Sequence, residues 1–245
     1  MSTVVDFHSH VLPGIDDGSS SVEESVAMLR MESEQGIKRV IATPHFYAHR
    51  DNLERFLERR TRSEQILRKE LAKHTGLPEL SIGAEVHFFT GISNSKAISN
   101  LVIDSTTYIL IEMPHPPWTE DMYRELEGIF TKRGLTPIIA HVDRYISRFR
   151  TFKIPQRLSE LPVLVQANAD FFIEKRTASM AIRMLRDGQI QLLGSDCHNL
   201  SSRKPNLASA LKPIENRLGI TAIEYINSHE QTVLLKNVLP TRLCE

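Results

Sequence analysis

Short apolar runs rich in Val and Ile alternate along the chain with longer segments whose apolar residues recur at helical spacing, the pattern of βα units feeding a mostly parallel sheet. Seven runs read as strands: residues 4–8, 39–43, 80–86, 108–112, 137–141, 163–168 and 190–196. Most are nearly unbroken hydrophobic stretches, as strands covered on both faces are. The first helix is marked by a capping box of Ser21 with Glu24, by Val22, Val26 and Leu29 on one face, and by Gly36 at the C-cap position. A highly charged helix over 53–74 turns Leu53, Phe56, Leu57, Leu67 and Leu71 inward. Its arginines are expected on a solvated face, with i,i+4 partners such as Glu58 and Arg62. Further helices fit 119–133 before Gly134, 175–186 before Gly188, and 206–218, with helical turns beyond.

Seven such units in 245 residues predict an α/β fold, a (β/α)7-like TIM barrel one unit short of eight and forming a single domain over residues 1–245, with an open doubly wound sheet as the alternative. The first βα connection, Pro13-Gly14-Ile15-Asp16-Asp17-Gly18, is acidic and lacks G-x-G-x-x-G, and no G-x-x-x-x-G-K-[ST] occurs. A dinucleotide enzyme and a nucleotide triphosphatase are therefore disfavoured. Thirty basic and thirty acidic residues cancel, so no net field favours nucleic acid or an anionic membrane. Two cysteines, Cys197 and Cys244, are too few for a disulfide framework, and the opening residues lack the basic start and apolar core of a secretion signal. A cytoplasmic protein is expected. No run approaches the ~18 apolar residues of a membrane span, so no membrane insertion is expected.

The chemistry lies at the strand ends. His8 and His10 end the first strand, His45 follows the second, and Glu85, Glu112 and His141 close the next three. Asp196 ends the last, with His198 just beyond. In a parallel barrel these ends open at one face and their side chains converge. His8-Ser9-His10 and Asp196-Cys197-His198 each put two donors on one side of an extended chain, and Asp17 can reach the same mouth. A single strand-end histidine is usually a hydrogen-bonded, partly buried side chain. Eight acids and imidazoles together need partners for their charge, and divalent ions supply them. Imidazole with carboxylate suits Mn²⁺, Fe²⁺ or Zn²⁺, and without clustered cysteines a structural zinc site is disfavoured. Arg144 and Arg203 stand within a few residues of these donors, as expected of guanidinium forks that grip a phosphate; the bland reading of each is a rim salt bridge. His49, His74, His87, His115 and His229 read as surface or rim, with His49 and His115 nearest a substrate. Cys197 and Arg203 also match C-x5-R, the phosphate loop of cysteine-dependent phosphatases, but Asp196 and His198 flank the thiol and the intervening loop has no glycine.

Asp6-Phe7-His8-Ser9-His10, Asp16-Asp17-Gly18, Thr43-Pro44-His45, Gly83-Ala84-Glu85, Leu110-Ile111-Glu112, Ala140-His141-Val142-Asp143-Arg144-Tyr145 and Ser195-Asp196-Cys197-His198-Asn199 resemble, in order, the motifs of the polymerase and histidinol phosphatase (PHP) family. The nearest branch is its bacterial tyrosine-protein phosphatases of capsular and extracellular polysaccharide synthesis. The resemblance spans Asp6 to about Asn206. It implies a distorted barrel with a trinuclear site, usually loaded with Mn²⁺, for which Fe, Zn or Mg are alternatives. By motif position His8, His10, Glu85 and Asp196 would hold one ion; Glu85, Glu112 and His141 a second; and Asp17, His45 and His198 the third. Arg144 and Arg203 match the phosphate-contacting arginines. The implied substrate is phosphotyrosine on a protein partner, notably a bacterial tyrosine autokinase. Asp143 stands where glutamate is common in the family, and the segment around His115-Pro116-Pro117-Trp118 differs from some relatives. The rivals are another phosphoesterase of the family, such as a histidinol-phosphate phosphatase or a nuclease; an amidohydrolase, although residues 108–114 offer no lysine; a Cys197-dependent phosphatase; and a non-catalytic metal-binding partner of a kinase.

Overall fold

The computed structural model describes residues 4–104, 106–146 and 153–235; Cys244 lies outside them. In chain order the elements are β1 (Val5–Ser9), α1 (Val22–Glu34), β2 (Arg39–Ala42), β3 (His45–Phe46), α2 (Leu53–Leu71), β4 (Glu79–Ile82), β5 (Glu85–His87), β6 (Tyr108–Glu112), α3 (Glu120–Arg133), β7 (Thr136–Ile139), α4 (Asp143–Ile146), α5 (Lys153–Leu158), β8 (Leu164–Asn168), α6 (Asp170–Ile173), α7 (Ala178–Arg186), β9 (Leu192–Gly194), α8 (Leu207–Leu218) and α9 (Ile220–Leu235).

All strand pairings are parallel. They form one sheet in the order β1-β2-β4 and another in the order β3-β5-β6-β7-β8-β9. The two sheets are halves of one ring. The run predicted as a single strand over 80–86 is broken into β4 and β5 at Gly83-Ala84, and the run beginning at Arg39 resumes after Thr43-Pro44 as β3. Main-chain bonds carry the ladder across both breaks: Gly83 N donates to Ala42 O (2.8 Å) and Glu85 N to Pro44 O (3.0 Å). On the other side Asp196 N donates to His8 O (2.7 Å) and His10 N to Cys197 O (2.9 Å), so β1 closes against the segment after β9. Seven strand positions result, as the alternation of elements predicts.

Alternation then sorts the side chains. Val5, Phe7, Ile41, Leu110, Ile138, Ala140, Leu164 and Leu192 form a buried cluster with Val233 of α9, whose last turns thus plug the ring. The opposite phase, including Val40, Ala42, Ile82, Ile109, Ile111, Ile139, Val165 and Leu193, packs in a second cluster with apolar residues of the helices. Ser21 caps α1, accepting from Glu24 N (3.2 Å), while the Glu24 carboxylate reaches back one residue further than a standard capping box, to Ser20 N (2.8 Å). Gly134 closes α3 in the left-handed conformation expected of it.

Two expectations need correction. Arginines of α2 are not all solvated: Arg60 donates to Gly83 O (2.9 Å) and Asn100 O (3.0 Å), and Arg68 to Leu80 O (2.9 Å). They satisfy carbonyls at the ring break and along β4, and so fasten the helix to the barrel. His229 is not a rim residue but is buried in α9, where its Nδ1 is 2.9 Å from Tyr225 O.

Candidate metal centre

Each donor is aimed by a local feature of the chain. The β1–β2 register slips between Asp6 and Ser9; this irregularity lets Phe7 and His8 both serve the ring interior while Asp6 approaches Glu32 of α1. Asp6 fastens the neighbouring backbone, accepting from His8 N (3.1 Å) and Ser195 N (2.9 Å). His45, Glu85 and Glu112 lie on β3, β5 and β6. His141 and Asp196 occupy positive φ, at 33° and 54°, a conformation that is costly for such residues and that clusters at functional sites. Gly194 precedes Asp196 by two residues, and a Cβ there would stand 2.6 Å from His8 Cβ; only glycine lets β9 come this close.

The donors meet at the C-terminal mouth of the barrel. His8 Nε2 and His10 Nε2 are 3.2 Å apart. Both face Glu85 Oε2, at 3.2 and 3.4 Å, and Asp196 Oδ1, at 3.5 Å each. His141 Nε2 is 2.8 Å from Glu85 Oε1 and 3.6 Å from Glu112 Oε1. Asp17 Oδ1 lies 3.4 Å from His45 Nε2 and 3.5 Å from His198 Nε2, while His45 Nδ1 is 2.9 Å from Glu85 Oε2. Three sets of donor atoms at this mouth each fit within 4.8 Å: His8, His10 and Glu85; His10, Asp17, His45 and His198; and His45, Glu85 and Glu112. All nine residues singled out as donors thus share one pocket, with Glu85 at its middle. Both arginines reach it too. Arg144 and Arg203 bond Asp196 Oδ2, the latter at 2.7 Å, and their side chains remain 36% and 38% exposed.

The electrostatics favour cations. Burial alone raises a carboxylate, but the histidines around Glu85 and Asp196 outweigh it and hold both well below the usual range. Burial likewise opposes charge on His8 and His10, yet Glu85 and Asp196, joined by Asp16 at His10, overcome it and raise both imidazoles. His198 goes the other way, pushed down to about 4 by burial and by the positive charge of His10. Ring orientation matches. His10 Nδ1 is held by Asp16 Oδ2 (2.7 Å), His8 Nδ1 by Gln166 Oε1 (3.3 Å) and His198 Nδ1 by Asp196 O (2.9 Å). Each arrangement turns the opposite nitrogen toward the centre. Glu85 Oε2, His45 Nδ1 and His198 Nε2 are buried and face opposed donor atoms at 2.9–3.5 Å without making a hydrogen bond of ordinary geometry, and buried polar atoms left so poorly satisfied call for a ligand. An imidazole and carboxylate donor set free of sulfur fits divalent ions of intermediate hardness.

Several neighbours escaped the sequence reading. Asp16, next to Asp17 in the acidic first loop, orients His10. Its carboxyl, despite burial, is pulled down to about 2 by that histidine. His87, read as rim, bonds Glu112 Oε2 (3.0 Å), and Tyr47 packs between His45 and His87, with ring centroids 5.3 and 5.4 Å away. Gln166 and Asn168 are polar positions in an otherwise apolar run, and that was their only sequence signal. Cys197 proves a decoy on geometry. It is fully buried, and burial together with Glu32 and Asp6 pushes its thiol well above the usual range, the reverse of what a nucleophile requires.

Barrel and donor set together define a TIM-barrel-like protein with a cluster of potential metal donors at its C-terminal mouth. The chain belongs to the capsular polysaccharide synthesis family CpsB/CapC, whose sequence profile matches residues 4–236. Among its relatives, the tyrosine-protein phosphatase YwqE of Bacillus subtilis is 27% identical over 248 positions, covering 96% of this chain and 92% of the relative. The tyrosine-protein phosphatase CpsB of Streptococcus agalactiae serotype III is 23% identical, covering 96% and 99%. The fold matches a crystal structure from work on YwqE and on CpsB of Streptococcus pneumoniae, described as unique metal-dependent tyrosine phosphatases. The TM-score is 0.87 at 24% identity, over 97% of this chain and 96% of that one. The lactonase Lmo2620 of Listeria monocytogenes shares the fold more distantly, with a TM-score of 0.57 at 11% identity over 92% and 91%. Among the described residues no helix is long and apolar enough to cross a membrane.

Proposed function

We propose that this chain is a metal-dependent protein-tyrosine phosphatase, acting in the cytoplasm on the phosphotyrosines of a tyrosine autokinase that controls capsule or exopolysaccharide synthesis. The observation that carries the reading is the convergence of eight imidazoles and carboxylates around a ninth donor, Glu85, with poorly satisfied buried donor atoms beside two part-exposed arginines. The names of the CpsB and YwqE relatives support the same activity. His8, His10, Glu85 and Asp196 would hold one ion, Glu85, Glu112 and His141 a second, and Asp17, His45 and His198 a third, with Mn²⁺ as the resident metal. Bound divalent ions supply Lewis acidity toward phosphoryl oxygens and make water a nucleophile near neutral pH.

The chain's own groups do the rest. Arg144 and Arg203 offer N–H groups to the non-bridging phosphoryl oxygens, and these charge-assisted bonds strengthen as negative charge develops. Asp196 holds the two guanidiniums side by side. Asp16 and Gln166 keep the tautomers of His10 and His8 fixed. Tyrosine phenolate, with a parent pKa of ~10, leaves more readily than an alkoxide, so no dedicated acid is required.

The test is a substrate panel with purified protein: phosphotyrosine peptide, histidinol phosphate and an oligonucleotide, each before and after chelation and with Mn²⁺ restored. Hydrolysis of the phosphotyrosine peptide that chelation abolishes and Mn²⁺ restores is expected. Preference for histidinol phosphate or the oligonucleotide, or activity indifferent to chelation, would reject the reading.

A further inference from the structure

Behind the donors lies a pair of buried amides. Gln166, fully buried on β8, accepts two hydrogen bonds at one oxygen: its Oε1 is 2.7 Å from His141 N and 3.3 Å from His8 Nδ1. Its amide nitrogen donates to Asn168 Oδ1 (3.0 Å), and Asn168 Nδ2 donates in turn to Asp196 Oδ2 (3.1 Å). Asn168 N is itself held by Asp143 Oδ1 (2.9 Å). The amide orientation is not free, because only an oxygen can accept from a backbone N–H. That oxygen then sets the His8 tautomer, leaving Nε2 as the electron pair facing Glu85 and Asp196. The same oxygen secures the backbone of His141, which sits at a φ of 33° that needs outside support.

We infer that Gln166 is the positioning residue that pre-orients donors of two different ions, His8 in the first set and His141 in the second, and through Asn168 also Asp196. The inference rests on the metal-site reading of the mouth. Glu85 joins the two sets in front, and the Gln166–Asn168 relay joins them from behind, so the ions bind as a coupled group. Outer partners of this kind change metal affinity by about 10–100-fold when removed.

The experiment is calorimetric titration of ion-free protein with Mn²⁺, together with the absorption spectrum after loading with Co²⁺ and the melting temperature of the ion-free form. Gln166→Leu should weaken Mn²⁺ binding by about 10–100-fold, in more than one binding step, and alter the Co²⁺ spectrum. Gln166→Glu, which keeps an oxygen for both bonds but loses the amide donor to Asn168, should recover part of the affinity lost in Gln166→Leu. A purely structural role would lower the melting temperature and leave the affinity of the folded fraction and the spectrum alone. If Gln166→Leu does not accumulate as folded protein, Gln166→Asn withdraws the same oxygen by one methylene and carries the test. Wild-type affinity and spectrum in a folded variant would overturn the inference alone. A wild type that takes up no Mn²⁺ would overturn the site reading and the inference together. Ion binding that depends on Gln166 in a protein inert toward every phosphoester would uphold the inference and reject the activity.

Discussion

Replacing Arg203 with alanine should separate catalysis from stability. The Arg203 guanidinium bonds Asp196 Oδ2 at 2.7 Å while keeping 38% of its side chain exposed. Solvent screening at that exposure limits the pair to under ~1 kcal/mol. Asp196 Oδ2 is also served by Arg144 and by Asn168 Nδ2 at 3.1 Å, so it is not stranded when Arg203 goes. A chain of this length should lose no more than about 4 °C in melting temperature. Its ions should stay, since Arg203 is not a donor to them. The cost in rate is larger. A preorganised donor aimed at developing phosphoryl charge contributes about 10²–10³ in rate, roughly 3–4 kcal/mol. The assay is kcat/KM on a phosphotyrosine peptide at saturating Mn²⁺, with bound metal quantified on the same sample. Arg203→Lys should recover only part of the loss, because an ammonium cannot fork. A kcat/KM within about threefold of wild type would refute a transition-state role. A rate loss matched by loss of metal would instead assign Arg203 to holding Asp196.

Gly194→Ala puts a methyl 2.6 Å from His8 Cβ and 2.8 Å from Gln166 Nε2; overpacking of this kind costs about 1–3 kcal/mol, and thermal melts should show it together with weaker Mn²⁺ binding, whereas a neutral result would place β9 further from β1. Cys197→Ser should retain most phosphatase activity and the native thiol should resist alkylation; loss of turnover with metal retained would revive the thiolate mechanism. Glu230 is buried beneath the barrel, its Oε2 accepting from Val5 N at 3.1 Å, and burial followed by the charge of Asp6 raises its carboxyl well above the usual range. The folded state then holds a proton that the unfolded state releases, so this contribution to stability is complete below the unfolded value and fades as pH rises toward the folded one. Glu230→Gln, which keeps an acceptor for Val5 N, should flatten the dependence of melting temperature on pH above the usual glutamate value of 4.5; an unchanged profile would assign the slope elsewhere.

The ring and its mouth were legible because both rest on local signals: apolar runs give strands, and polar residues that end them must face either water or one another. The predicted strand over 108–112 matches β6 to the residue. What escaped depends on neighbours remote in the chain. The single strand over 80–86 divides at Gly83-Ala84, beyond which β5 gains β6 as a second neighbour while the ladder to the 39–46 run continues, with Ile103 pressed against the glycine, and no property of those residues alone announces it. The two-residue β3 is too short to show a period. Period-two logic also puts Asp6 in phase with His8; Asp6 faces α1 as alternation with Val5 and Phe7 requires, and only the register slip that follows it brings His8 to the interior. Gln166 matters through an oxygen shared by His8 and His141, a three-body fact that no spacing encodes.

The closure of β1 onto the segment after β9 has a consequence for biogenesis. The first two imidazoles are synthesised almost at once, while the carboxylate and imidazole that face them arrive only near residue 200, after every other strand. The seam between β1 and the segment after β9, which runs through the proposed ion pocket, joins residues nearly 190 apart in the chain, a non-local contact of the kind that forms late. On the proposed metal-site reading, products truncated before His198 lack part of the donor set, so ion loading would require a chain synthesised beyond that residue.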